Sequence, residues 1–503
     1  MRTGPRHPRL GRAVYRLTLR LYEKLCARRG IFRADSAAAV ERIKALRRRL
    51  DAGDTLYLGG ICASGTHNTG VALVEVSRER GPKLICNNEE ERFSGERHTT
   101  KFPDRSIGEL KAMLQRAGLE PARIDGWFSA WDYPALVAMM LRGAVEEAPA
   151  SLSLLRTPDI TAFSPHGIEA GMRMARKLGR RLGCDAPVIA TAHHDNHAWF
   201  SFAVSPFAKS ERPVMIAAVD GFGDRGAISL YVCERGVMRE LYCNDSFTDS
   251  LGIFYAVISS TQGGWTALSS EGRYMGAAAW GDGDRATNPF YAPLRQILHL
   301  APDGEVFVNR DLANWGRNPM APYTKALIKI LGEPIAMKDM WNPDAVLRVE
   351  DIHHRADTKD RLDKAAATQL VFEDAMIHVV DHLLRATGAT RLVLTGGVAL
   401  NAVGNMRLLE HFDEAWFAEA QHRKARLHLW VPPVPGDLGV TMGAAWLFAH
   451  LAGAPRGAAM THAFHCGLPP SQDDIAAALD SDGIAAQMIG DISTPDGREA
   501  VAT

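Results

Sequence analysis

The sequence feature that most constrains the fold is a pattern of three strands that occurs twice. In the first copy the segments are LYLGGICASG, GVALVEV and KLICNNEEERF, which are β-prone and separated by short turns. In the second copy, from Pro213 onward, they are VMIAAVDGFGD, AISLYVCE and VMRELYCNDSF. Helical stretches follow each triplet, such as SIGELKAMLQRAG after the first. Two copies of one strand-and-helix unit predict a duplicated α/β fold with a cleft between its halves.

Length and charge exclude several classes of protein. The chain has 503 residues, of which 46% are apolar, so it is long enough for two or three domains with cores. Lys and Arg together number 58, as do Asp and Glu, which argues against a protein that grips nucleic acid over its whole surface. The charge is uneven, because residues 1–50 hold 15 basic and 3 acidic residues and the remainder is acidic. We therefore expect no nucleic-acid partner.

The N-terminal segment and the cysteines bear on location. Seven scattered cysteines without a CxxC pair, no secretory signal and no run long enough to span a membrane favour the cytoplasm. Within residues 1–30, apolar side chains recur at helical spacing with Arg12, Arg16 and Arg20 between them. They are Leu10, Val14, Leu17, Leu21 and Leu25. Such a helix either contacts an anionic membrane or a partner, or packs on its own protein body.

Three glycine-rich turns stand where strands are expected to end. They are DGFGD at 220–224, GGV at 396–398 and PGDLG at 435–439. Glycine lets a phosphate approach the backbone, and a helix N-terminus behind the turn adds a positive dipole. Three such turns in a duplicated α/β chain favour nucleotide binding over ordinary tight turns.

A histidine pair is the strongest metal-ligand pattern. His193 and His197 are four apart, so on a helix they share one face and can chelate one divalent metal. A zinc protease of the HExxH type is excluded, because His194 stands where that chemistry requires Glu. Asp437, between Gly436 and Gly439, is placed to add a carboxylate. The alternative is a histidine pair hydrogen-bonded inside a polar cleft.

A charged run follows the first strand triplet. EEERF at 89–93 is followed by Arg97, His98 and Lys101. Charged runs are usually solvated faces, but this one ends a strand beside the expected cleft. A surface role and a cleft role both remain open.

Eight blocks of the sequence together resemble the O-carbamoyltransferases of nodulation-factor and antibiotic tailoring. Their body is similar to the tRNA threonylcarbamoyl-transferring subunit and the hydrogenase-maturation carbamoyltransferase. The blocks stand in the family's order and cover about residues 55–450. They are GI with SGTHNTGVALV (60–74), EEERFSGERHTTKFP (89–103), AHHDNHA (192–198), VDGFGD (219–224), SLGIFY (250–255), EGRYMGAAAWG (271–281), LTGGVALNAVGN (394–405) and PPVPGDLGVTMGAAW (432–446).

The resemblance implies an actin-like (ASKHA) body of two ribonuclease-H-like halves with nucleotide in the cleft. It implies a metal, iron or another divalent ion, held by His193, His197 and Asp437. It also implies that a hydroxyl of a sugar or other small metabolite attacks the carbamoyl carbon of carbamoyl-adenylate. That adenylate is made from carbamoyl phosphate and ATP.

Individual roles follow from the matched blocks. His67 matches the histidine near the carbamoyl group, where it orients that group or relays the acceptor's proton, and Arg97 and His98 join it as catalytic candidates. The nucleotide candidates are Asp220, Gly221, Gly223, Asp224, Arg273, Gly396, Gly397 and Asn401. Of these, the Gly396–Gly397 turn is assigned to adenosine and the 221–224 turn to phosphate and ribose. Arg273 stands where the family has Lys, which keeps the charge but changes its geometry.

The sequence also departs from the family pattern. Gly95 and Arg97 replace Arg and Lys, and Asn68 and Gly70 replace Asp and Ser after His67. No GRMEFGPRALG-like signature of the YrdC-like domain, which makes carbamoyl-adenylate, is found. The expected division is a basic helical extension at 1–54, halves at 55–212 and 213–455, and a lead-in to a truncated YrdC-like domain at 456–503.

The sequence therefore predicts an O-carbamoyltransferase that needs a YrdC-like protein in trans if its own domain is missing. Two alternatives remain on the same fold. One is an ATP-dependent small-molecule kinase, which would need a catalytic Asp beside the acceptor and no histidine pair. The other is an inactive, truncated nucleotide-binding homologue.

Overall fold

The computed structural model describes most of the chain, in two compact units, Met1–Cys466 and Gly467–Thr503. The described residues are 1–63, 67–152, 165–246, 248–319, 321–335, 342–457, 459–460, 462, 466–467, 472–486 and 494–502. The described part of the second unit contains two helices, α16 (Gln472–Ser481) and α17 (Pro495–Ala502).

The first unit begins with a helix and a short strand, which lead into the first strand triplet. Its elements up to residue 203 are α1 (Pro8–Ala27), β1 (Ile31–Arg33), α2 (Ala37–Asp51), β2 (Leu56–Cys62), β3 (Gly70–Ser77), β4 (Gly81–Glu89), α3 (Glu90–Ser94), α4 (Asp104–Arg116), β5 (Gly126–Ser129), α5 (Tyr133–Glu146), α6 (Pro165–Leu182), β6 (Val188–Ala190) and α7 (His193–Ala203).

The second strand triplet begins the remainder of this unit. Its elements are β7 (Val214–Val219), β8 (Ile228–Glu234), β9 (Val237–Cys243), α8 (Leu251–Gly263), α9 (Ser270–Ala278), α10 (Tyr291–Arg295), β10 (Leu298–Leu300), β11 (Val306–Val308), α11 (Lys325–Leu331), α12 (Ala356–Thr387), β12 (Arg391–Thr395), α13 (Ala402–His411), α14 (Glu414–Gln421), β13 (His428–Trp430) and α15 (Val440–Leu451). A 3-10 turn, Gly397–Leu400, links β12 to α13.

Five strands of the first sheet have the same order as the five strands of the second, which confirms the predicted duplication. In the first, β2, β3 and β4 form an antiparallel meander, and β5 and β6 extend it in parallel on the other side of β2. In the second, β7, β8 and β9 form the meander and β12 and β13 the parallel extension. This is the ribonuclease-H-like order, found twice, as the ASKHA fold requires.

The central strands are buried on both faces. All six residues of β7 are buried, as are six of the seven residues of β2. Helices cover both faces of such strands, which explains why their sequences read as continuous apolar runs rather than as an alternation.

Two helices in equivalent positions are exchanged between the halves. α7 follows β6 but packs Ala198 and Phe202 against the second sheet. α15 follows β13 but packs on β2, β3 and β5 of the first sheet. The backbone of α15 approaches β2 so closely that a Cβ on Gly60 would clash with the carbonyl oxygen of Thr441. The exchange therefore fastens each half to the other through its core.

The N-terminal segment is part of the first half's structure. β1 pairs in parallel with β6 and becomes an edge strand of the first sheet. α1 packs on α5, and Arg33 forms a 2.8 Å ion pair with Asp132, the residue before α5. No helix among the described residues has the length and hydrophobicity needed to cross a membrane.

Candidate metal and nucleotide site

Four buried side chains point at one another between the two sheets: His193, His197, Asp220 and Asp437. One ligand atom of each lies within 4.8 Å of the others. The Nε2 atom of His193 is 3.5 Å from Asp220 Oδ2 and 3.2 Å from Asp437 Oδ1. The Nε2 atom of His197 is 3.1 Å and 3.4 Å from the same two oxygens. We call these four residues the His–Asp cluster.

The fold explains why these residues meet. His193 and His197 lie on the first two turns of α7, one helical turn apart, as their spacing predicts. Asp220 follows the last residue of β7, and Asp437 lies in the turn before α15. The cluster thus depends on the exchanged helices, since α7 begins in it and α15 begins beside it.

Hydrogen bonds fix the orientation of both rings. The Nδ1–H of His193 donates to the carbonyl of Ala130 at 3.3 Å, and that of His197 donates to Thr395 Oγ1 at 3.4 Å. Trp131 stacks on His193, with ring centroids 3.6 Å apart. These contacts aim Nε2 of each ring at the cluster and place the proton of a neutral ring on Nδ1, which is the tautomer that a metal ligand needs.

The electrostatics couple the two rings to the two carboxylates. Burial would lower the pKa of His193, but Asp437 and Asp220 outweigh it and raise that pKa to about 10. Burial would raise the pKa of each Asp, but the imidazoles outweigh it and hold both values below the ordinary range. For His194, burial and the neighbouring His193 lower the pKa well below its usual value, so it stays neutral beside Ser229.

The cluster fits a divalent metal. His193 Nε2, His197 Nε2, Asp220 Oδ2 and Asp437 Oδ1 are buried and have no hydrogen-bond partner among the described residues. Two imidazole nitrogens and two carboxylate oxygens form a ligand set used for iron, zinc and other divalent ions. A bound metal ion would take the place of the proton on His193 Nε2 and would be a partner for all four atoms.

Asp220 also joins the cluster to two of the glycine-rich turns. Its Oδ1 atom accepts the backbone N–H of Gly221 at 2.7 Å and of Gly397 at 3.0 Å. Its Oδ2 atom faces the histidines. Sequence reasoning named Asp220 only as a nucleotide contact and missed it as a possible metal ligand. Its place at the end of a buried strand, in the first residue of a glycine-rich turn, was the available signal.

The glycines of these turns stand where a side chain would either clash with neighbouring atoms or enter an open space. Gly396 has φ of 91°, and a Cβ there would clash with the carbonyl oxygen of Val219. At Gly223 a Cβ would lie 2.8 Å from His194 Nε2. Around Gly221, by contrast, nothing lies within 4 Å of a Cβ position, so this residue has open space beside the cluster.

Three other nucleotide candidates have contacts of a different kind. Asp224 Oδ2 accepts the N–H groups of Asp132 at 2.8 Å and His193 at 2.9 Å, so it caps α7 and positions the histidine. Asn401 caps α13 and pairs with Gln369 at 3.0 Å. Arg273 is exposed on α9 and lines an open cleft with two tryptophans, Trp265 and Trp280. The nucleotide contacts expected of these residues stay predictions.

His67 lies at the edge of the cluster. Its Nε2 atom is 3.6 Å from Asp437 Oδ2, the oxygen on the other side of that carboxylate. Its Nδ1–H donates to Asn68 Oδ1 at 2.5 Å. The side chain is 28% exposed, so a substrate can reach His67.

Two glutamates of the charged run hold nearby backbone in place through hydrogen bonds. Glu90 is buried and accepts the N–H groups of Arg105 at 3.1 Å and Ser106 at 2.8 Å, which stabilises the start of α4. Glu91 accepts the backbone N–H of His98 at 2.8 Å. His98 is half-buried, and burial lowers its pKa, whereas Arg97 is exposed. The catalytic roles of His98 and Arg97 stay predictions.

Two curated relatives each match three quarters of the chain. It is 25% identical over 386 residues to "Uncharacterized protein sll1178" of Synechocystis sp., covering 75% of this chain and 55% of that protein. It is also 25% identical over 384 residues to "Nodulation protein NolNO" of Sinorhizobium fredii, covering 75% of this chain and 46% of that protein. The chain thus spans about half the length of these relatives.

Solved structures give weaker matches. HypF of T. kodakarensis covers 79% of this chain at 14% identity, over 48% of its own chain, with a TM-score of 0.33. Component A of the (R)-2-hydroxyglutaryl-CoA dehydratase of Acidaminococcus fermentans covers 79% at 12% identity, over 99% of its own chain, with a TM-score of 0.34. At these TM-scores the fold assignment rests on the strand order of the two sheets.

The family described as "Carbamoyltransferase N-terminus" matches residues 59–446, from β2 to the middle of α15. This stretch contains the whole second sheet, the first sheet except β1 and the start of β2, and every member of the His–Asp cluster. The chain therefore belongs to the carbamoyltransferase N-terminal family.

Proposed function

We propose that this protein transfers a carbamoyl group from carbamoyl-adenylate to a hydroxyl group of a sugar or another small metabolite. The observation that carries the proposal is the His–Asp cluster, joined through Asp220 to two glycine-rich turns, in a chain of this family. A buried cation site beside glycine backbone suits a substrate with a phosphate next to the reacting group.

The first part of the proposal concerns substrate binding. Gly221, with open space beside it, and Gly397 lie on either side of Asp220 and would admit the nucleotide phosphate to the backbone. A divalent metal held by the His–Asp cluster, iron or a similar ion, would neutralise phosphate charge. Arg273, Asn401 and Asp224 remain proposed nucleotide contacts.

The second part concerns the transfer step. The acceptor's hydroxyl oxygen forms a bond to the carbamoyl carbon, and the bond from that carbon to the phosphate oxygen of the adenylate breaks. AMP leaves with the bonding electron pair. His67 is partly exposed at the edge of the cluster, so its Nε2 is placed to accept the hydroxyl proton. His98 and Arg97 are proposed to orient the carbamoyl group.

The third part concerns the source of the adenylate. We propose that a YrdC-like protein makes it from carbamoyl phosphate and ATP and supplies it in trans. The support is the match to the carbamoyltransferase N-terminal family over residues 59–446. This arrangement makes a partner protein part of the assay.

The test is a reconstitution of the full chain with ATP, carbamoyl phosphate and a panel of polyols and sugars. One arm contains a YrdC-like protein and one arm does not, and metal content is measured on the same sample. We expect a carbamoylated acceptor and AMP in the arm with the partner, and about one metal ion per chain. Phosphorylated acceptor and ADP would instead identify a kinase. No product in either arm and no bound metal would overturn the proposal.

A further inference from the structure

A row of leucines on α1 faces away from the protein. Leu10, Leu17, Leu21 and Leu25 are 57%, 61%, 56% and 43% exposed, and Val14 lies between them on the same face. We call these five residues the leucine row. They repeat every three or four positions, so they form one continuous stripe along a helix of 20 residues.

The leucine row stays exposed because the neighbouring face of α1, about a third of a turn around the helix, makes the contacts with the body. Gly11, Tyr22 and Cys26 are buried on that face. Gly11 lies directly against the side chain of Glu146 at the end of α5. The Tyr22 hydroxyl donates to the carbonyl of Ile168 on α6. The periodicity of the sequence identifies the leucines as the apolar stripe of α1. The face that contacts the body is instead the one with Gly11, because a glycine lets α5 approach the helix closely.

The start of α1 is also held in place. The guanidinium of Arg2 pairs with the buried Glu147 at 3.2 Å. The carbonyl of Arg2 accepts the N–H of Arg310 at 2.8 Å, and His7 donates its N–H to the carbonyl of Glu146 at 2.9 Å. The leucine row is therefore a fixed surface of the folded protein and not a loose arm.

The flank of the leucine row is cationic. Arg9, Arg12, Arg16, Arg20 and Lys24 are all exposed. The only acidic residue of the helix, Glu23, lies 3.9 Å from Arg33 of the neighbouring strand. An exposed apolar stripe bordered by arginines is the pattern of helices that lie in the surface of an anionic bilayer.

We propose that α1 binds an anionic phospholipid membrane, with the leucine row inserted among the lipid headgroups and the cations over the phosphates. Charge favours this occupant over a second copy of the chain, since pairing two such helices would bring their arginines together. Because α1 is fixed to α5 and α6, membrane binding would attach the whole first half and not only a tail. The inference does not rest on the carbamoyl-transfer proposal.

The test is flotation of the 503-residue chain with vesicles. One set of vesicles is phosphatidylcholine alone, and the other is an equal mixture of phosphatidylcholine and phosphatidylglycerol. We expect binding to the mixed vesicles that weakens at high salt, and little binding to phosphatidylcholine. The double variant Leu17→Asp, Leu21→Asp should lower binding about tenfold or more, because both residues are exposed and the change places charge in the inserted face.

The matched control is the double variant Leu409→Asp, Leu451→Asp. Leu409 on α13 and Leu451 on α15 are 41% and 39% exposed, so this variant makes the same two exchanges outside the leucine row and should bind as the wild type does. Thermal melting shows that all variants remain folded. Equal binding to both kinds of vesicle, or full binding by the Leu17→Asp, Leu21→Asp variant, would overturn the proposal. A dimer without lipid that the Leu17→Asp, Leu21→Asp variant abolishes would assign the leucine row to a second copy instead.

Discussion

The two halves of the protein have the same strand order but different residues at corresponding turns. The segment after β2 in the first half carries His67, and the segment after β7 in the second half is DGFGD. After β6 the first half begins α7 with His193, and after β13 the second half places Asp437 before α15. One half therefore offers imidazoles and the other offers carboxylates and glycines. Duplication supplied the frame, and divergence at the strand ends supplied the chemistry.

The largest expected effect comes from removing a cluster residue from either half. His197→Ala in the first half and Asp437→Asn in the second should each abolish stoichiometric metal binding and lower the transfer rate about a thousandfold, because the remaining atoms no longer complete the site. Metal analysis and product formation measure both effects.

Asp195→Asn is the matched control for these cluster variants. Asp195 lies on α7 but pairs with Arg225 at 2.8 Å near the surface. If the variant in one half lost the metal and the variant in the other half kept it, the site would not be shared by the two halves.

The exchanged helices predict an unequal tolerance of the two central strands. β2 contains Gly60 under the backbone of α15, whereas β7 has no glycine. Gly60→Ala should lower the free energy of unfolding by about 3 kcal/mol, because the new Cβ meets a backbone carbonyl that cannot move alone. Denaturant unfolding measures the change.

The control for Gly60 is a glycine with room for a side chain. Gly108, on α4, has nothing within 4 Å of a Cβ position, and Gly108→Ala should stabilise the protein by about 0.5–1 kcal/mol. A Gly60→Ala protein as stable as the wild type would show that α15 does not pack on β2 in solution.

The role of His67 predicts a separation between metal binding and turnover. His67→Gln should lower the transfer rate about a hundredfold, since general-base assistance is lost. Metal content should stay unchanged, because His67 Nε2 is 3.6 Å from the outer oxygen of Asp437 and the ring is not a cluster member. Equal turnover in the variant would remove His67 from the proton transfer.

A smaller effect is expected near the C-terminal end of α15, where this helix contacts α7. His450 on α15 stacks on Trp199 of α7, with ring centroids 3.7 Å apart, and burial and Arg456 lower its pKa to about 4. The unfolded chain protonates this histidine near its ordinary value of 6.5, so between these two values the unfolded state binds more protons. The difference between these two values corresponds to about 3 kcal/mol, and solvent screening of the partly exposed ring reduces the expected loss of stability to about 2 kcal/mol as the pH drops through this range.

His450→Phe tests this assignment, because phenylalanine keeps a ring against Trp199 and cannot titrate. The variant should lose this part of the pH dependence when unfolding is measured from pH 7 to pH 4. A dependence equal to that of the wild type would assign it to other groups.

Sequence reasoning recovered the duplicated fold because each strand triplet is a local pattern. It brought His193 and His197 together because residues four apart share a helix face. Asp220 was placed in the right turn, but the separate directions of its two oxygens follow from how β7, β12 and α7 meet. The facing of α1 was also beyond the sequence, since Gly11 and Tyr22 decided the packing against a stronger stripe of leucines.

The exchange of α7 and α15 has a consequence for how the chain folds during synthesis. The face of β2 and β3 that α15 covers stays open until residues 440–451 have left the ribosome, and contacts such as that of Asn87 with the carbonyl of Leu438 join residues 351 positions apart. Loop closure over such separations is slow, and an uncovered apolar sheet aggregates readily. The first half therefore cannot complete its core before most of the second half has been made, and a chain divided between residues 212 and 213 should yield two pieces that are soluble only when produced together.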